Sequence, residues 1–358
     1  MSMASHRAGE NTVKVAALGF WHVHGDDYAR DAAAHERVDL IALWDHEPER
    51  AGAAEQAHNV PARPLDEILD DPDVKGVIIC STTAAHTDLA VRCAQAGKHI
   101  FIEKVLAATV PEAEQIIEAT RQAGVTLVVS MRRSGKGFIR QVVRLVNQGV
   151  IGEVTSMHVQ DGHPFALPTR THASGWLPES FYDKESGQGG ALIDLCHPLY
   201  LVAQVLGSPL HVSAQLGFVT ARTVEDNAAV LMRFSGGAIA TAVSSYVTKS
   251  NPFVLEVHGT RGSILYREPG IGVMVHDRQF PRPDSVQSTE DEPSLRLWSL
   301  DESPTTWQEL EIEPDAPTAF DHWVELAESG TPDNDNVELA LTLTRIVEGA
   351  YKSAAEDG

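Results

Sequence analysis

The run Val13-Lys-Val-Ala-Ala-Leu-Gly-Phe-Trp-His-Val-His-Gly25 sets the architecture of the front half. Val13–Leu18 reads as a short strand that ends at a glycine, and a helix is expected from about Asp26 to His35, with Asp26 and Asp27 complementing its amino-terminal dipole. Val38–Trp44 then reads as a second strand closed by Asp45. The 26 residues from Gly19 to Asp45 match a dinucleotide-binding βαβ unit, in which the helix start takes the pyrophosphate and the carboxylate holds the ribose hydroxyls. The glycine fingerprint is reduced. Trp21 and His24 stand where G-x-G-x-x-G has its second and third glycines, which leaves Gly19 in register and Gly25 to permit a close backbone approach. Asp45 favours NAD over NADP, because a 2′-phosphate would meet a like charge, and nearby Arg50 moderates that repulsion.

The alternation continues with a strand at Val74–Cys80, a loop Ser81–His86, and a helix Thr87–Ala96 closed by Gly97. A strand follows in Lys98-His-Ile-Phe-Ile-Glu-Lys-Val-Leu106, then a helix Val110–Gln122 and a strand Val125–Ser130. Repeated βα units of this length imply a doubly wound parallel sheet. Lys104 closes its strand and so points into the crevice where such sheets bind ligands, and Arg132 and Arg133 follow the last strand in the same way.

Beyond Gly152 the pattern changes. Val154–Gln160 alternates, and a loop over 161–186 carries His163, His172, Trp176 and Tyr182, polar and aromatic groups suited to roofing a polyol pocket. One helix is expected from about Gly190 to Leu206, with Asp194 and His197, three apart, on a shared face. A carboxylate beside an imidazole fixes its tautomer and suits it to take a proton near neutral pH. Hairpin-linked strands occupy His211–Thr220, Ala228–Phe234, Ala238–Val247, Phe253–His258 and Ser263–Arg267, an antiparallel sheet. An exposed loop is expected at Pro281–Ser294, and helices at Thr318–Ser329 and Val337–Ala355 close the chain.

The 358 residues thus divide into a Rossmann domain, 12–131, and a substrate-binding and oligomerisation α+β domain, 132–358, that includes the closing helices. The net charge of −22 disfavours nucleic acid and anionic membranes and favours a small-molecule partner. Cys80, Cys93 and Cys196 are too scattered for a zinc knuckle and read as reduced thiols. Residues 1–11 are polar and lack a signal-peptide core, and no apolar run approaches a bilayer span of roughly 20 residues. A disordered leader and a cytoplasmic protein are expected.

Four stretches together resemble the glucose–fructose oxidoreductase / inositol dehydrogenase / rhizopine-catabolism (Gfo/Idh/MocA) family. VIICSTTAAH is similar to its strand–TPNxxH loop, AGKHIFIEKVLA to its AGKHVxxEKPxA signature, GQGGALIDLCHPLY to its GGGxxxDxGxH helix, and AFDHWVELAESG with DNVELALTLTRIVEGAYKSA to its final helices. The resemblance runs from about Val13 to Ala355. It implies an NAD-dependent enzyme that moves a hydride from a sugar or cyclitol hydroxyl to the nicotinamide, working as a homodimer or homotetramer. It carries catalytic roles onto Lys104, Asp194 and His197, with no metal. It lays the cofactor along Gly19, Phe20, Trp21, His22, Asp45, Ser81, Thr82, His86, Glu103, Lys104 and Arg132 and the substrate against the antiparallel sheet, where the loop composition adds His163, Trp176 and Tyr182 as substrate candidates.

Two departures carry expectations of their own. Val105 replaces the family proline, and a cis bond before valine would cost about 2.5–4 kcal/mol, so the sequence leaves the Lys104–Val105 peptide open between cis and trans. Asp194 and His197 are one residue closer than in the family, which on a helix turns one of them by about 100°. Two other readings compete. A redox-neutral enzyme of the same fold would hold NAD tightly for epimerisation, elimination or glycosidic cleavage. A metal-dependent hydrolase would use His22-Val-His24 with His163, His172 and His197, but needs more βα units than the second half offers.

Overall fold

The computed structural model describes residues 12–168, 173–248, 253–268, 293–301 and 303–356. The expected leader, His172, and 281–292 of the expected exposed loop lie outside them. In chain order come β1 (Val13–Leu18), α1 (Gly25–Ala34), β2 (Val38–Trp44), α2 (Pro48–His58), α3 (Leu65–Asp70), β3 (Gly76–Ile79), α4 (His86–Gln95), β4 (His99–Glu103), α5 (Val110–Ala123) and β5 (Leu127–Ser130). After these come α6 (Gly137–Asn147), β6 (Val154–Gly162), α7 (Lys184–Gly187), α8 (Ala191–Asp194) and α9 (His197–Leu206). Strands β7 (His211–Gly217), β8 (Asn227–Arg233), β9 (Ile239–Ser245), β10 (Phe253–Gly259), β11 (Gly262–Glu268), β12 (Ser294–Ser299) and β13 (Ser303–Leu310) follow, then helices α10 (Ala319–Ser329) and α11 (Asn334–Glu356).

The chain forms two compact units, Met1–Ser130 with Pro317–Glu338, and Met131–Ala316 with Leu339–Gly358. The first carries a parallel sheet ordered β2-β1-β3-β4-β5. Strands β3 and β5 are buried at every residue, as expected of strands covered on both faces. Helix α10, expected with the second domain, belongs to this unit instead. Its Phe320, Trp323 and Val324 join Tyr28, Ile78, Phe101 and Val128 in one apolar core. Gly76 makes room for the indole, since a Cβ there would lie 2.7 Å from Trp323 Cζ2.

The second unit carries an eight-stranded sheet, β13-β12-β11-β10-β6-β9-β8-β7, antiparallel except for the β6–β9 pair. Alternate residues such as Leu255, Val257, Ile264, Tyr266, Leu295 and Leu297 are buried, and α9 packs on β6 and β9. This sheet excludes the barrel that the hydrolase reading needs. Among the described residues no single helix is long and apolar enough to cross a membrane.

The single helix expected over Gly190–Leu206 is broken. α8 ends at Asp194 and α9 begins at His197, with a bend of 54° between the flanking segments. Pro198 explains it: proline lacks an N–H and its ring clashes with the carbonyl four residues back, so it starts a helix rather than continuing one. The shared-face argument for Asp194 and His197 therefore fails.

Candidate active site

In a doubly wound sheet the ligand crevice opens at the carboxyl ends of the strands, where the strand order reverses. Here β1 lies between β2 on one side and β3 on the other, and the chain reverses direction across the sheet between them, so the segments after β1, β3 and β4 line that point. Gly19 follows β1 at φ +96°, and a Cβ there would lie 2.6 Å from the Ser81 backbone nitrogen. A glycine is therefore obligatory. At Gly25 a Cβ would come 3.1 Å from Phe20 Cα, a tight approach that fits the expected role of this glycine. His22 N donates to Cys80 O at 3.4 Å, joining the two loops.

Asp45 is buried and already engaged. Oδ2 accepts from Phe20 N at 2.7 Å, while Oδ1 accepts from Glu47 N at 2.8 Å and from Arg50 Nε at 3.0 Å. It thus pins the β1 loop to the end of β2, and Arg50 offsets its charge as expected. Phe20 stacks on His58 with centroids 5.9 Å apart.

Glu103 and Lys104 are 1 % and 6 % exposed. Glu103 Oε2 accepts from Tyr28 Oη at 2.5 Å and faces His24 Nδ1 at 3.3 Å, and the Tyr28 hydroxyl also meets Ser130 Oγ at 2.6 Å. Oε1 has no hydrogen-bond partner, and Lys104 Nζ lies 3.8 Å from it. Burial alone would raise this carboxyl, but its interactions with His24, His22 and Lys104, including the His24 hydrogen bond, outweigh it and hold the group well below its ordinary value. Lys104 Nζ also approaches His22 Nε2 at 3.4 Å. The Lys104–Val105 peptide, left open by the sequence, is cis. His86, expected along the cofactor, supports this turn from below: its buried ring donates from Nδ1 to Val105 O at 3.0 Å and Leu106 O at 3.3 Å. Burial lowers its pKa, which keeps the ring neutral.

In the second unit, Asp194 and His197 are the two positions between Gly189 and Ala203 that are not fully buried. Two polar side chains thus surface from an otherwise apolar stretch. Tyr246 Oη donates to Asp194 Oδ2 at 2.6 Å, and His197 Nδ1 lies 3.0 Å from Tyr200 Oη. Glu225 anchors the glycine turn ahead of them, its Oε1 accepting from Gly190 N, Leu192 N and Tyr351 Oη at 2.8–2.9 Å. Burial raises the Glu225 carboxyl. A Cβ at Gly190 would lie 2.0 Å from Glu225 O, and one at Gly189 would overlap the Tyr351 hydroxyl, which accounts for the glycines.

Among the expected substrate residues, His163 stacks on Phe165 and Tyr246 with centroids at 3.8 and 5.1 Å. Trp176 is 37 % exposed. Tyr182 is buried under the Arg222 guanidinium, 3.7 Å from its ring centre, and desolvation pushes its hydroxyl up to about 12. It packs rather than presents. Arg133 likewise turns into its own unit, bonding Glu268 at 2.8 Å and approaching Asp161 at 3.5 Å, while Arg132 is exposed.

Residues 13–131 match the family described as "Oxidoreductase family, NAD-binding Rossmann fold", and residues 139–265 match "GFO/IDH/MocA C-terminal domain". The chain belongs to the Gfo/Idh/MocA family. It is an oxidoreductase with an NAD-binding Rossmann unit. Among Gfo/Idh/MocA relatives, a 1,5-anhydro-D-fructose reductase of Ensifer adhaerens is 29% identical over 64% of this chain and 68% of its own. An inositol 2-dehydrogenase of Salmonella typhimurium is 32% identical over 44% of this chain and 48% of its own. The aldose-aldose oxidoreductase of Caulobacter crescentus, at 22% identity, superposes with a TM-score of 0.75 over 97% of this chain and 98% of its own, a likeness of fold.

The first unit fits the dinucleotide of this family through Gly19, which brings the β1 loop down on Ser81 at the point of strand reversal. Sequence reasoning passed over Tyr28, Cys80, Tyr200, Glu225 and Tyr246. Tyr28 lies four residues beyond His24, the residue that precedes α1, and Tyr200 three residues beyond His197, and those spacings were the available signal. Cys80 in the first unit, and Glu225 and Tyr246 in the second, meet their partners through tertiary contacts alone.

Proposed function

We propose that the substrate is a sugar or cyclitol and that Lys104, Asp194 and His197 act on the hydroxyl it oxidises. What carries this reading is the burial pattern of the second unit, where Asp194 and His197 alone surface from fifteen consecutive residues, 189–203. NAD, when bound, supplies the hydride acceptor. His197 takes the hydroxyl proton at Nε2, with Nδ1–H donating to Tyr200 Oη. Lys104 orients the hydroxyl oxygen and stabilises the charge that develops there, with Glu103 beneath it as counter-ion. Asp194 accepts a substrate hydroxyl while Tyr246 fixes its carboxylate. The names of the inositol dehydrogenase and anhydrofructose reductase relatives support this substrate class. We also infer a cytoplasmic homodimer or homotetramer that binds neither nucleic acid nor membrane. The acidic balance of 50 to 28 and three buried cysteines without a disulfide support that reading.

The test is a panel of polyols and aldoses with NAD, followed as NADH absorbance, with Lys104→Ala and His197→Ala alongside. Turnover of at least one polyol is expected, reduced by about 10²–10⁴-fold in His197→Ala. Full activity in either variant removes that residue from the mechanism.

A further inference from the structure

The ends of β1, β3 and β4 bring three unlike donors together. One ligand atom each from His22, Cys80 and Glu103 lies within 4.8 Å of the others, and all three side chains are buried. Among the described residues they form the cluster with metal-ligating geometry. Imidazole, thiolate and carboxylate are the donor types that zinc accepts, at distances of about 2.0–2.3 Å, which places tetrahedral ligands about 3.4 Å apart. Side-chain shifts of about an ångström would close the group on an ion. A second observation points to a cation: Glu103 Oε1 is a buried carboxylate oxygen without a hydrogen bond, and its ionic partner Lys104 Nζ stands off at 3.8 Å.

We propose that this cluster is an inhibitory site for zinc or a similar borderline divalent cation. His22, Cys80 and Glu103 supply three ligands, and water takes the fourth position. The Cys80 thiol loses its proton to solvent as sulfur ligates. The ammonium of Lys104 competes for the same place, because it sits 3.4 Å from His22 Nε2 and shares Glu103. Metal entry therefore displaces Lys104 from the position the proposed mechanism gives it. The ion also occupies the floor of the loop assigned to the dinucleotide, so metal and cofactor exclude one another. That exclusion rests on the proposed function; binding of the metal does not.

The probe is zinc chloride added to chelator-treated, dialysed whole protein, with bound metal counted, and cobalt(II) as spectroscopic surrogate. One zinc per chain is expected, and cobalt should give a near-ultraviolet thiolate charge-transfer band. Cys80→Ser should lose the band and weaken zinc by more than the roughly 10–100-fold that loss of an outer-shell partner costs. Cys93→Ala, whose thiol is buried outside the cluster, should bind as the unmodified protein does. Lys104→Ala should bind zinc tighter, since the competing ammonium is gone. A protein that takes up no zinc refutes the site, as does equal affinity in Cys80→Ser or cobalt bound without the thiolate band. Zinc bound with the full band but indifferent to added NAD supports the site and overturns the cofactor placement instead.

Discussion

Neutralising Glu103 should destabilise the first unit far more than a surface charge change would. Glu103 and Lys104 are both buried, and their charged atoms are 3.8 Å apart. At an effective dielectric of about 20, two unit charges at that distance attract by about 4 kcal/mol. Glu103→Gln keeps the shape and a carbonyl for the Tyr28 hydroxyl but removes the counter-charge of the Lys104 ammonium in a desolvated place. Breaking a buried pair from one side costs about 3–5 kcal/mol, which for a unit of this size lowers the melting temperature by about 6–20 °C. Lys104→Met strands the carboxylate in the same way, although Tyr28 and His24 still satisfy Oε2, so a smaller loss is expected. With both substitutions no lone charge remains, and the double variant should recover a coupling energy of about 2–3 kcal/mol. Thermal and urea unfolding of the four proteins measures this without reference to activity. Single losses that simply add, within about 0.5 kcal/mol, would show the pair to be hydrated and the account of its burial wrong.

Three further outcomes follow from the same geometry. Gly19→Ala combines a φ of +96° with a Cβ 2.6 Å from backbone. It should cost about 2 kcal/mol or more in unfolding experiments and weaken NAD binding by calorimetry, and an unchanged melting curve would contradict it. Glu225 has a folded pKa raised above its ordinary 4.5 by burial, so the folded state holds the proton more tightly. Its contribution to stability is then largest below 4.5 and declines as pH rises through the raised value. Glu225→Gln should flatten that decline, whereas Glu225→Ala strands two backbone N–H groups and the Tyr351 hydroxyl at a cost of about 2–3 kcal/mol; equal damage by both at neutral pH would refute the assignment. Tyr246→Phe removes the hydroxyl bonded to Asp194. A bond to a charged group is worth about 1.5–3 kcal/mol, and kcat/KM should fall by about 10–100-fold, a value at parent level ruling the bond out of the mechanism.

The front half was legible because its signals are local. β1 and β2 begin and end where the sequence predicts them, and the charged pair closing β4 stands out after the three β-favouring residues Ile100, Phe101 and Ile102. α2 was missed because Pro48–His58 buries Ala54 alone and so shows almost no apolar stripe. α6 does carry a stripe, with Phe138, Ile139, Val142 and Leu145 buried, and its periodicity was legible in the sequence. The break between α8 and α9 was written in Pro198, but seven apolar residues after it favoured a continuous helix. Partners such as Glu225 for the glycine turn and Tyr246 for Asp194 are joined across long separations. No spacing rule reaches them.

The first unit is interrupted in sequence, with Pro317–Glu338 completing what Met1–Ser130 begins. During synthesis the sheet strands β1–β5 emerge long before Phe320 and Trp323, the aromatic side chains that α10 lays against Phe101. The nascent sheet must therefore wait, with part of its apolar face uncovered, for nearly two hundred further residues to be translated. A ribosome stalled before α10 should release a protease-sensitive product. A gene fragment ending at Ser130 should need the α10 peptide supplied separately before it gives soluble protein.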